Sequence, residues 1–185
     1  LLTANEGDAS EWGDYTNITT AEISGEDVEV LDKDKLEGLP EVLSQVNFIL
    51  GGRSFSIYEV TDSGLKQVFD SGSDFEKITA AAYPDYFNAS NKNNKLDSRS
   101  DAKGPEPESI TVTTVGDKTY AYIGLERIGG IMLYDVTDPA NPFFCDYIDS
   151  RDFTVDFPDE GTDPAQGDVS VEGICAVSAA QSPTG

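Results

Sequence analysis

The chain has 185 residues and carries 35 acidic against 12 basic side chains, which gives a net charge of −23, and it contains no histidine. A surface of that sign repels nucleic-acid phosphates and anionic lipid headgroups, and the lack of histidine excludes histidine-based triads and the usual zinc sites. No apolar run approaches the roughly 20 residues that span a bilayer, so neither nucleic-acid binding nor direct membrane insertion is expected.

Short runs rich in β-branched and aromatic residues recur along the chain, each bounded by Gly, Asp, Pro or Ser. This pattern is typical of antiparallel sheets, so the fold is predicted to be mainly β. The predicted strands are residues 1–4, 48–50, 54–60, 65–69, 110–115, 119–125, 131–136, 143–148 and 174–177.

Two long insertions, residues 9–45 and 71–104, interrupt these strands. The first holds ten acids and two bases, and its end, residues 34–46, is expected to form a short helix. The second begins with a helical pattern that Ser73 or Asp74 would cap and Pro84 would end. Long insertions in a β scaffold either recognise partners or are tolerated decoration, and both alternatives stay open.

The chain also contains an internal repeat, which decides the predicted architecture. The aligned segments are residues 56–64 with 132–140, 3–6 with 123–126, and 107–112 with 171–176. The alignment matches Glu6 with Glu126 and Glu108 with Glu172. Four strands in about forty residues are typical of one propeller blade. The predicted fold is therefore an all-β, partial β-propeller of four-stranded antiparallel blades, WD40-like, with short helices in its two insertions.

One domain, a propeller fragment, is predicted over residues 1–185. Its parts are an incomplete blade at 1–72 with the insertion 9–45, an insertion at 71–104, a complete blade at 105–148, and the start of the next blade at 168–185. We expect both ends to lie inside a longer protein, with no signal peptide at the start. Its open blade edges predict edge-to-edge pairing between copies.

A charged pair, Glu126-Arg127, and a double glycine, Gly129-Gly130, separate two predicted strands. The glycines predict a turn with positive φ angles. In a propeller the ends of such strands reach the central channel, so the charged pair and its repeat equivalents should lie there. The predicted channel-facing residues are Glu6, Asp8, Glu108, Glu126, Arg127 and Glu172.

A second set of carboxylates falls within twelve residues around the end of the second insertion. Carboxylate oxygens are the ligands that calcium prefers, so this loop is a candidate Ca²⁺ site. The candidate ligands are Asp97, Asp101, Glu106 and Glu108. Arg99 and Lys103 lie between them, and the alternative is an internal salt-bridge network that orders the loop.

A hydrolytic pair is a further hypothesis, because two carboxylates about 5 to 9 Å apart can cleave glycosides. Glu108, Glu126 and Glu172 would be its members. Their recurrence once per repeat favours an architectural role instead.

The two cysteines and two glycosylation sequons each leave alternatives open. Cys145 and Cys175 lack a metal-like spacing and are either a disulfide or two small buried apolar residues. The sequons begin at Asn17 and Asn88, and they have meaning only in a eukaryotic secretory pathway.

Several motifs recur in a known family. They are "TANEGD" (3–8), "GGRSFSIYE" (51–59), "FDSGSDFEKITA" (69–80), "DSRSDAKGPEPE" (97–108), "GLERIGG" (124–130) and "RDF" (151–153). Together they resemble the choice-of-anchor I family of large secreted or surface proteins, whose members carry the names mesenchyme-specific cell surface glycoprotein or alkaline phosphatase. The resemblance covers nearly the whole chain and implies a WD40-like propeller of which this chain is about half or less.

The resemblance has two limits. Ser10 stands where the family usually has arginine, so a role of that arginine is not expected here. The phosphatase name transfers poorly as well, because these residues hold no phosphatase nucleophile with metal ligands.

We interpret the chain as a non-catalytic propeller segment of an exported protein, secreted or on the surface of a marine or halotolerant bacterium. Its expected partners are the rest of the parent propeller and a protein or glycan ligand, and Ca²⁺ is the one cofactor considered. The alternative is an accessory domain of a secreted, calcium-dependent alkaline phosphatase or phosphodiesterase-type hydrolase.

Overall fold

A computed structural model describes residues 1–35, 46–158 and 163–184, and these form several antiparallel sheets and one short helix. None of the described helices is both long and apolar enough to span a bilayer. The strands are β1 Leu2–Asn5, β2 Glu11–Trp12, β3 Tyr15–Thr16, β4 Ile18–Ile23, β5 Glu26–Leu31, β6 Ser54–Thr61, β7 Gly64–Asp70, β8 Pro107–Val115, β9 Lys118–Leu125, β10 Ile131–Asp135 and β11 Phe143–Ile148; the helix is α1, Asp74–Ala82.

Two larger sheets form the body of the fold. One is a four-stranded meander in which β8, β9, β10 and β11 lie side by side in chain order. The other has three strands in the order β1-β6-β7. The prediction of a mainly β, antiparallel fold is confirmed, and none of the sheets within the described ranges closes on itself.

The two sheets repeat the same strand register. Thr3 of β1 pairs with Ser56 of β6, and Ile123 of β9 pairs with Met132 of β10. These are the residues that the internal repeat of the sequence aligns with each other. The sheet β1-β6-β7 therefore corresponds to β9-β10-β11, and the position equivalent to β8 has no strand beside β1 among the described residues.

A β-bulge also recurs at the equivalent place in each sheet. The pairing of β6 with β7 shifts between Ile57 and Tyr58, and that of β10 with β11 shifts between Leu133 and Tyr134. A bulge bends its strand and increases the local twist, so both sheets have the same irregularity at the same aligned residues.

An aromatic cluster joins the two sheets and α1. Phe55 of β6 is fully buried, and its ring centroid lies 4.9 Å from that of Tyr134 on β10 and 6.0 Å from that of Phe75 on α1. Ring separations of this size are typical of favourable aromatic packing. The helix covers the core where the two sheets meet.

The helix agrees with its prediction in position but not in its cap. It begins at Asp74, and Ser73 occupies the N-cap position without a side-chain hydrogen bond. Pro84 follows the helix end and opens a single 3₁₀ turn, Pro84–Tyr86, because proline cannot continue the α-helical hydrogen bonds.

The first insertion differs most from its prediction. It contains two hairpins, β2–β3 and β4–β5, where only a helix was expected. The turn of the second hairpin, Ser24-Gly25, has positive φ at both residues, which suits the right-handed twist of the strands. Acidic residues are depleted in strands generally. The many acidic residues of this insertion therefore concealed the alternating pattern of its strands in the sequence. The predicted helix at 34–46 lies mostly outside the described residues.

Two predicted strands are not formed. Residues 48–50 contribute a single bridge, between Ile49 and Val30. Residues 174–177 belong to no strand, because no segment of the described chain runs beside them to complete a ladder.

Candidate functional site

A buried carboxylate lies at the junction of the two sheets. Glu106 ends the long loop before β8, and its side chain is fully buried. Its carboxylate pairs with Arg99, with the Lys103 ammonium at 3.2 Å, and with Arg127 Nε at 3.0 Å. Three cations around one buried anion compensate for the free-energy cost of removing it from water. Without such partners a carboxylate would not stay charged at a buried position.

Lys103 and Arg127 extend this network to both sheets. Lys103 Nζ lies 2.6 Å from Glu6 and 3.1 Å from Asp8, which follow β1. Arg127 Nη1 lies 2.9 Å from the carboxylate of its neighbour Glu126, which follows β9. We call this set the Glu106 cluster; its members are Glu6, Asp8, Arg99, Lys103, Glu106, Glu126 and Arg127.

Three of these carboxylates are close together. Oxygens of Glu6, Glu106 and Glu126 all lie within 4.8 Å of one another. Burial, followed by the hydrogen bond to Glu106, raises the pKa of Glu126 from 4.5 to about 7. Burial also raises the pKa of Glu106, but hydrogen bonds from Arg127, Glu126 and Arg99 outweigh this effect and lower the pKa to about 2. Glu126 therefore holds the proton that the pair shares, and Glu106 stays ionised.

These pKa shifts predict opposite pH dependences. Because the folded pKa of Glu126 is raised, its protonation stabilises the fold below about pH 4.5, and that stability is lost as the pH rises through about 7. Glu106 stabilises the fold above 4.5 and loses this effect as the pH falls towards 2. We expect Glu126→Gln, which cannot lose a proton, to show a smaller fall in melting temperature than the wild type between pH 4.5 and 7. Parallel melting curves would contradict the shift.

Arg151 holds a second buried network next to the cluster. The residue is 6% exposed, and its guanidinium makes five hydrogen bonds of 2.8 to 3.2 Å. The acceptors are the carbonyls of Ser90, Asn93, Arg127 and Ile128 and the side-chain oxygen of Asn94. The guanidinium also lies 4.4 Å from the ring centroid of Phe153. Arg151 thus joins the turn after β9 to the long loop before β8.

Arg53 attaches the same loop to the helix α1. Its guanidinium donates to the Glu76 carboxylate on α1 at 2.8 Å and to the Ser100 carbonyl at 2.8 Å. Asn88 completes this attachment, since its amide donates to Glu76 at 3.0 Å and to the Ser100 hydroxyl at 2.9 Å.

All four arginines of the chain therefore point inward. Arg151 as a residue is 6% exposed, and the side chains of the other three are 14% to 23% exposed, although the protein has a large excess of acids. Guanidinium has five donors in a planar arrangement, so it can satisfy several carbonyls and carboxylates at once. The long polar loop 88–106 is ordered by these contacts and not by an apolar core of its own.

The structure brings together most of the residues predicted to face one channel. Glu6, Asp8, Glu126 and Arg127 all belong to the Glu106 cluster. The other two, Glu108 and Glu172, are exposed nearby. Burial and the carboxylates of Glu6, Glu172 and Glu106 raise the pKa of Glu108.

The predicted metal ligands are placed differently. Asp97 and Asp101 are exposed, and the Asp97 carboxylate accepts a hydrogen bond from the Ser100 hydroxyl. Glu106 of that set lies in the cluster, where cations surround it, and Glu108 is exposed outside the cluster. The salt-bridge network through Arg99 and Lys103, the stated alternative, is present in the structure.

Arg53 and Arg151 were given no role from the sequence. The signal was present, because each of four family motifs contains one arginine: "GGRSF", "DSRSD", "GLERIGG" and "RDF". The chain has only four arginines, and each lies in one of these motifs. This distribution indicates a structural role for all four.

Three smaller predictions can also be compared with the structure. Gly129 and Gly130 have φ angles of +90° and +82°, which confirms the predicted turn. The interpretation of Cys145 and Cys175 as buried is wrong: both thiols are free and exposed. The sequon at Asn88 is fully buried with its amide donating twice, so the folded domain has no room for a glycan there.

The sequence model of the choice-of-anchor I domain matches residues 1–139, three quarters of the chain. The chain belongs to the choice-of-anchor I family. This confirms the resemblance that the motifs indicated.

Two relatives are much longer than the segment that matches this chain. Gigasin-3a of Magallana gigas is 39% identical over 89 residues, 45% of this chain and 31% of that protein. Mesenchyme-specific cell surface glycoprotein of Strongylocentrotus purpuratus is 30% identical over 113 residues, 55% of this chain and 14% of that protein. The match therefore spans less than a third of either relative. No solved structure matches the chain.

Proposed function

We propose that the chain is a non-catalytic scaffold segment of a secreted or cell-surface protein and that it binds a glycan through its first insertion. The two sheets of identical register are proposed as propeller blades, and the rest of the parent chain as their neighbours. Membership of the choice-of-anchor I family and the surface glycoprotein among its relatives support an extracellular location. A bacterial source remains a prediction.

An exposed aromatic pair carries the proposed binding role. Trp12 is 83% exposed and pairs across the β2–β3 hairpin with Tyr15, which is 48% exposed. Trp and Tyr side chains are enriched at interfaces and dominate binding energy there. The flat face of Trp12 can stack on a sugar ring, next to Tyr15, whose ring centroid lies 5.2 Å from the Lys35 ammonium.

The charge around the hairpin narrows the ligand class. Residues 9–45 hold ten acids and two bases. A sulfated or sialylated glycan would be repelled by this surface, whereas a neutral or amine-bearing glycan would not. We therefore propose a glycan of neutral or cationic sugars as the ligand.

A hydrolase is the second candidate, because Glu106 and Glu126 have well separated pKa values, as acid–base pairs in enzymes do. The burial of both carboxylates argues against a hydrolytic role. Glu106 is fully buried and Glu126 is 8% exposed, so a substrate cannot reach either carboxylate. Each also pairs with Arg127. The cluster is better suited to hold the loop and the two sheets together.

Calcium binding at the cluster is not favoured by its contacts. The oxygens of Glu6, Glu106 and Glu126 are close enough to share an ion. However, Lys103 and Arg127 already contact them, and a divalent ion would have to replace or approach these cations. The proposal therefore includes no calcium. The Ca²⁺ site over Asp97, Asp101, Glu106 and Glu108 stays a prediction.

The binding proposal is tested with chitosan oligosaccharides as a cationic probe and chitin oligosaccharides as a neutral probe. We expect the chain to bind at least one of them, and Trp12→Ala to weaken binding on the order of tenfold, since one stacked aromatic contributes about 1–2 kcal/mol. Phe143→Ala is the matched control, because Phe143 is also an exposed aromatic residue, at 70%, but lies on β11 of the four-stranded sheet. Binding that is equally weakened by both variants, or no binding to either probe, would overturn the proposal.

A further inference from the structure

A lysine ammonium lies against the hairpin β2–β3, which carries the exposed aromatic pair. Lys35 Nζ lies 5.2 Å from the ring centroid of Tyr15 and donates a hydrogen bond to the Thr16 carbonyl. It also lies 3.5 Å from the Asp32 carboxylate. An aromatic face, a carbonyl and a carboxylate are all groups that bind a primary ammonium. The chain therefore has a site for a primary ammonium, and its own lysine occupies that site.

Backbone hydrogen bonds fix the groups that surround this ammonium. The N–H of Asp32 donates to the Asn17 carbonyl at 2.7 Å, which places the residue after β5 beside the end of β3. The Asp32 carboxylate accepts a hydrogen bond from the N–H of Asp34 at 3.1 Å. The carboxylate, the carbonyl and the ring are thus positioned by contacts that do not involve the Lys35 side chain.

The Lys35 side chain itself is held weakly. It is 36% exposed, and its contacts are one surface ion pair, one hydrogen bond to a carbonyl and one exposed cation–π contact. Ion pairs and cation–π contacts contribute little where water reaches them. The ammonium also sits on a flexible four-carbon stem. A second ammonium can therefore displace it.

We propose that this site receives an amine of the glycan and that Lys35 is an internal competitor for it. The inference rests on the proposed glycan binding and narrows the ligand to sugars with a free primary amine, such as glucosamine residues. Trp12 and Tyr15 pair across the hairpin, so their Cβ atoms lie about 5 Å apart on one face. A sugar ring stacked on Trp12 then brings its amine to the ring of Tyr15.

A neutral sugar cannot replace the lysine. An acetylated amine is uncharged and has one N–H donor, whereas an ammonium has three donors and a charge. If an acetylated sugar displaced Lys35, Asp32 would lose its ion pair without compensation. The site therefore selects the amine-bearing glycan over its acetylated form.

Fluorescence titration tests this selection, because Trp12 is the single tryptophan of the chain and reports on the hairpin directly. The probes are chitosan and chitin oligosaccharides of equal length, at a mildly acidic pH where the chitosan amines are protonated. We expect the wild type to bind chitosan more tightly than chitin.

Lys35→Met retains an unbranched side chain and removes the ammonium. It should strengthen chitosan binding on the order of tenfold, since a competitor that fills a site about 90% of the time lowers the apparent affinity about tenfold. Chitin binding should stay unchanged. Lys66→Met is the matched control, because it removes one exposed, ion-paired lysine from the hairpin β6–β7.

Asp32→Asn tests the contact from the other side. It keeps an oxygen that can accept from the Asp34 N–H, but it removes the charge that the amine would pair with. Chitosan binding should weaken on the order of tenfold, because a charge-assisted hydrogen bond becomes a neutral one. Asp34→Asn removes an exposed charge two residues away and should have little effect.

Three results would overturn the inference. They are chitosan binding that Lys35→Met leaves unchanged or weakens, an equal gain for chitin, and equal effects of Asp32→Asn and Asp34→Asn. Each leaves the proposed glycan binding intact as long as Trp12→Ala weakens it. If neither the wild type nor Lys35→Met binds either probe, both proposals are refuted. A melting curve for each variant ensures that only folded protein is compared.

Discussion

A chain carrying Glu106→Gln is expected to lose on the order of 3 kcal/mol of its free energy of unfolding, because breaking a buried ion pair leaves uncompensated charge inside. Lys103 and Arg127 keep other carboxylates, but Arg99 loses its anion. The new amide group would also turn N–H donors towards the donors that now contact the carboxylate. Urea unfolding at pH 7 measures the effect.

Asp101→Asn is the matched control for this substitution. It removes one negative charge from the same loop, but Asp101 is exposed and takes part in no ion pair of the described structure. We expect its unfolding midpoint to stay close to that of the wild type. If both variants unfold alike, the buried cluster has no special role in stability and the acids act only through net charge.

Arg151→Lys is expected to destabilise the fold by a similar amount, about 3 kcal/mol, although it preserves the charge. A lysine ammonium has three donors on a flexible chain and cannot reach the five acceptors that the guanidinium satisfies. It would also lose the planar contact with Phe153. Several buried carbonyls would then lack a donor.

The position of the first proteolytic cleavage distinguishes a local effect on the loop from a general loss of stability. Because Arg151 holds residues 90–94, limited proteolysis of Arg151→Lys should cut first within the loop 88–106 under conditions where the wild type is intact. Lys95→Ala removes an exposed charge from that loop and serves as the control. First cleavage in another part of the variant would refute the role assigned to Arg151.

The repeat was the most informative feature of the sequence. It aligned residues 56–64 with 132–140, and the structure shows the same register and the same bulge in both segments. Local patterns sufficed here because strand alternation and turn residues are encoded over short distances. They also predicted α1 and the Gly129-Gly130 turn correctly. They failed at 174–177, where strand formation depends on a neighbour and not on the segment itself.

The cluster could be predicted only in part, for a related physical reason. The sequence indicated that Glu6 and Glu126 are equivalent and that Arg99 and Lys103 could pair with the loop acids. It could not indicate that Glu106 would be the buried centre, because burial depends on how the loop folds against both sheets. Arg151 lies 61 residues from Ser90 along the chain, and no local pattern joins them.

The inward position of every arginine has a consequence for the outer face of the protein. Its exposed positive charge comes from lysines, whose amines can be acylated, whereas guanidinium groups resist that reaction. Acylation of the surface can therefore remove the exposed cations without disturbing the arginines that hold the loop. The chain thus carries its chemically changeable cations mainly on the exterior and its permanently charged guanidinium groups inside, where Lys103 is the one amine of the Glu106 cluster.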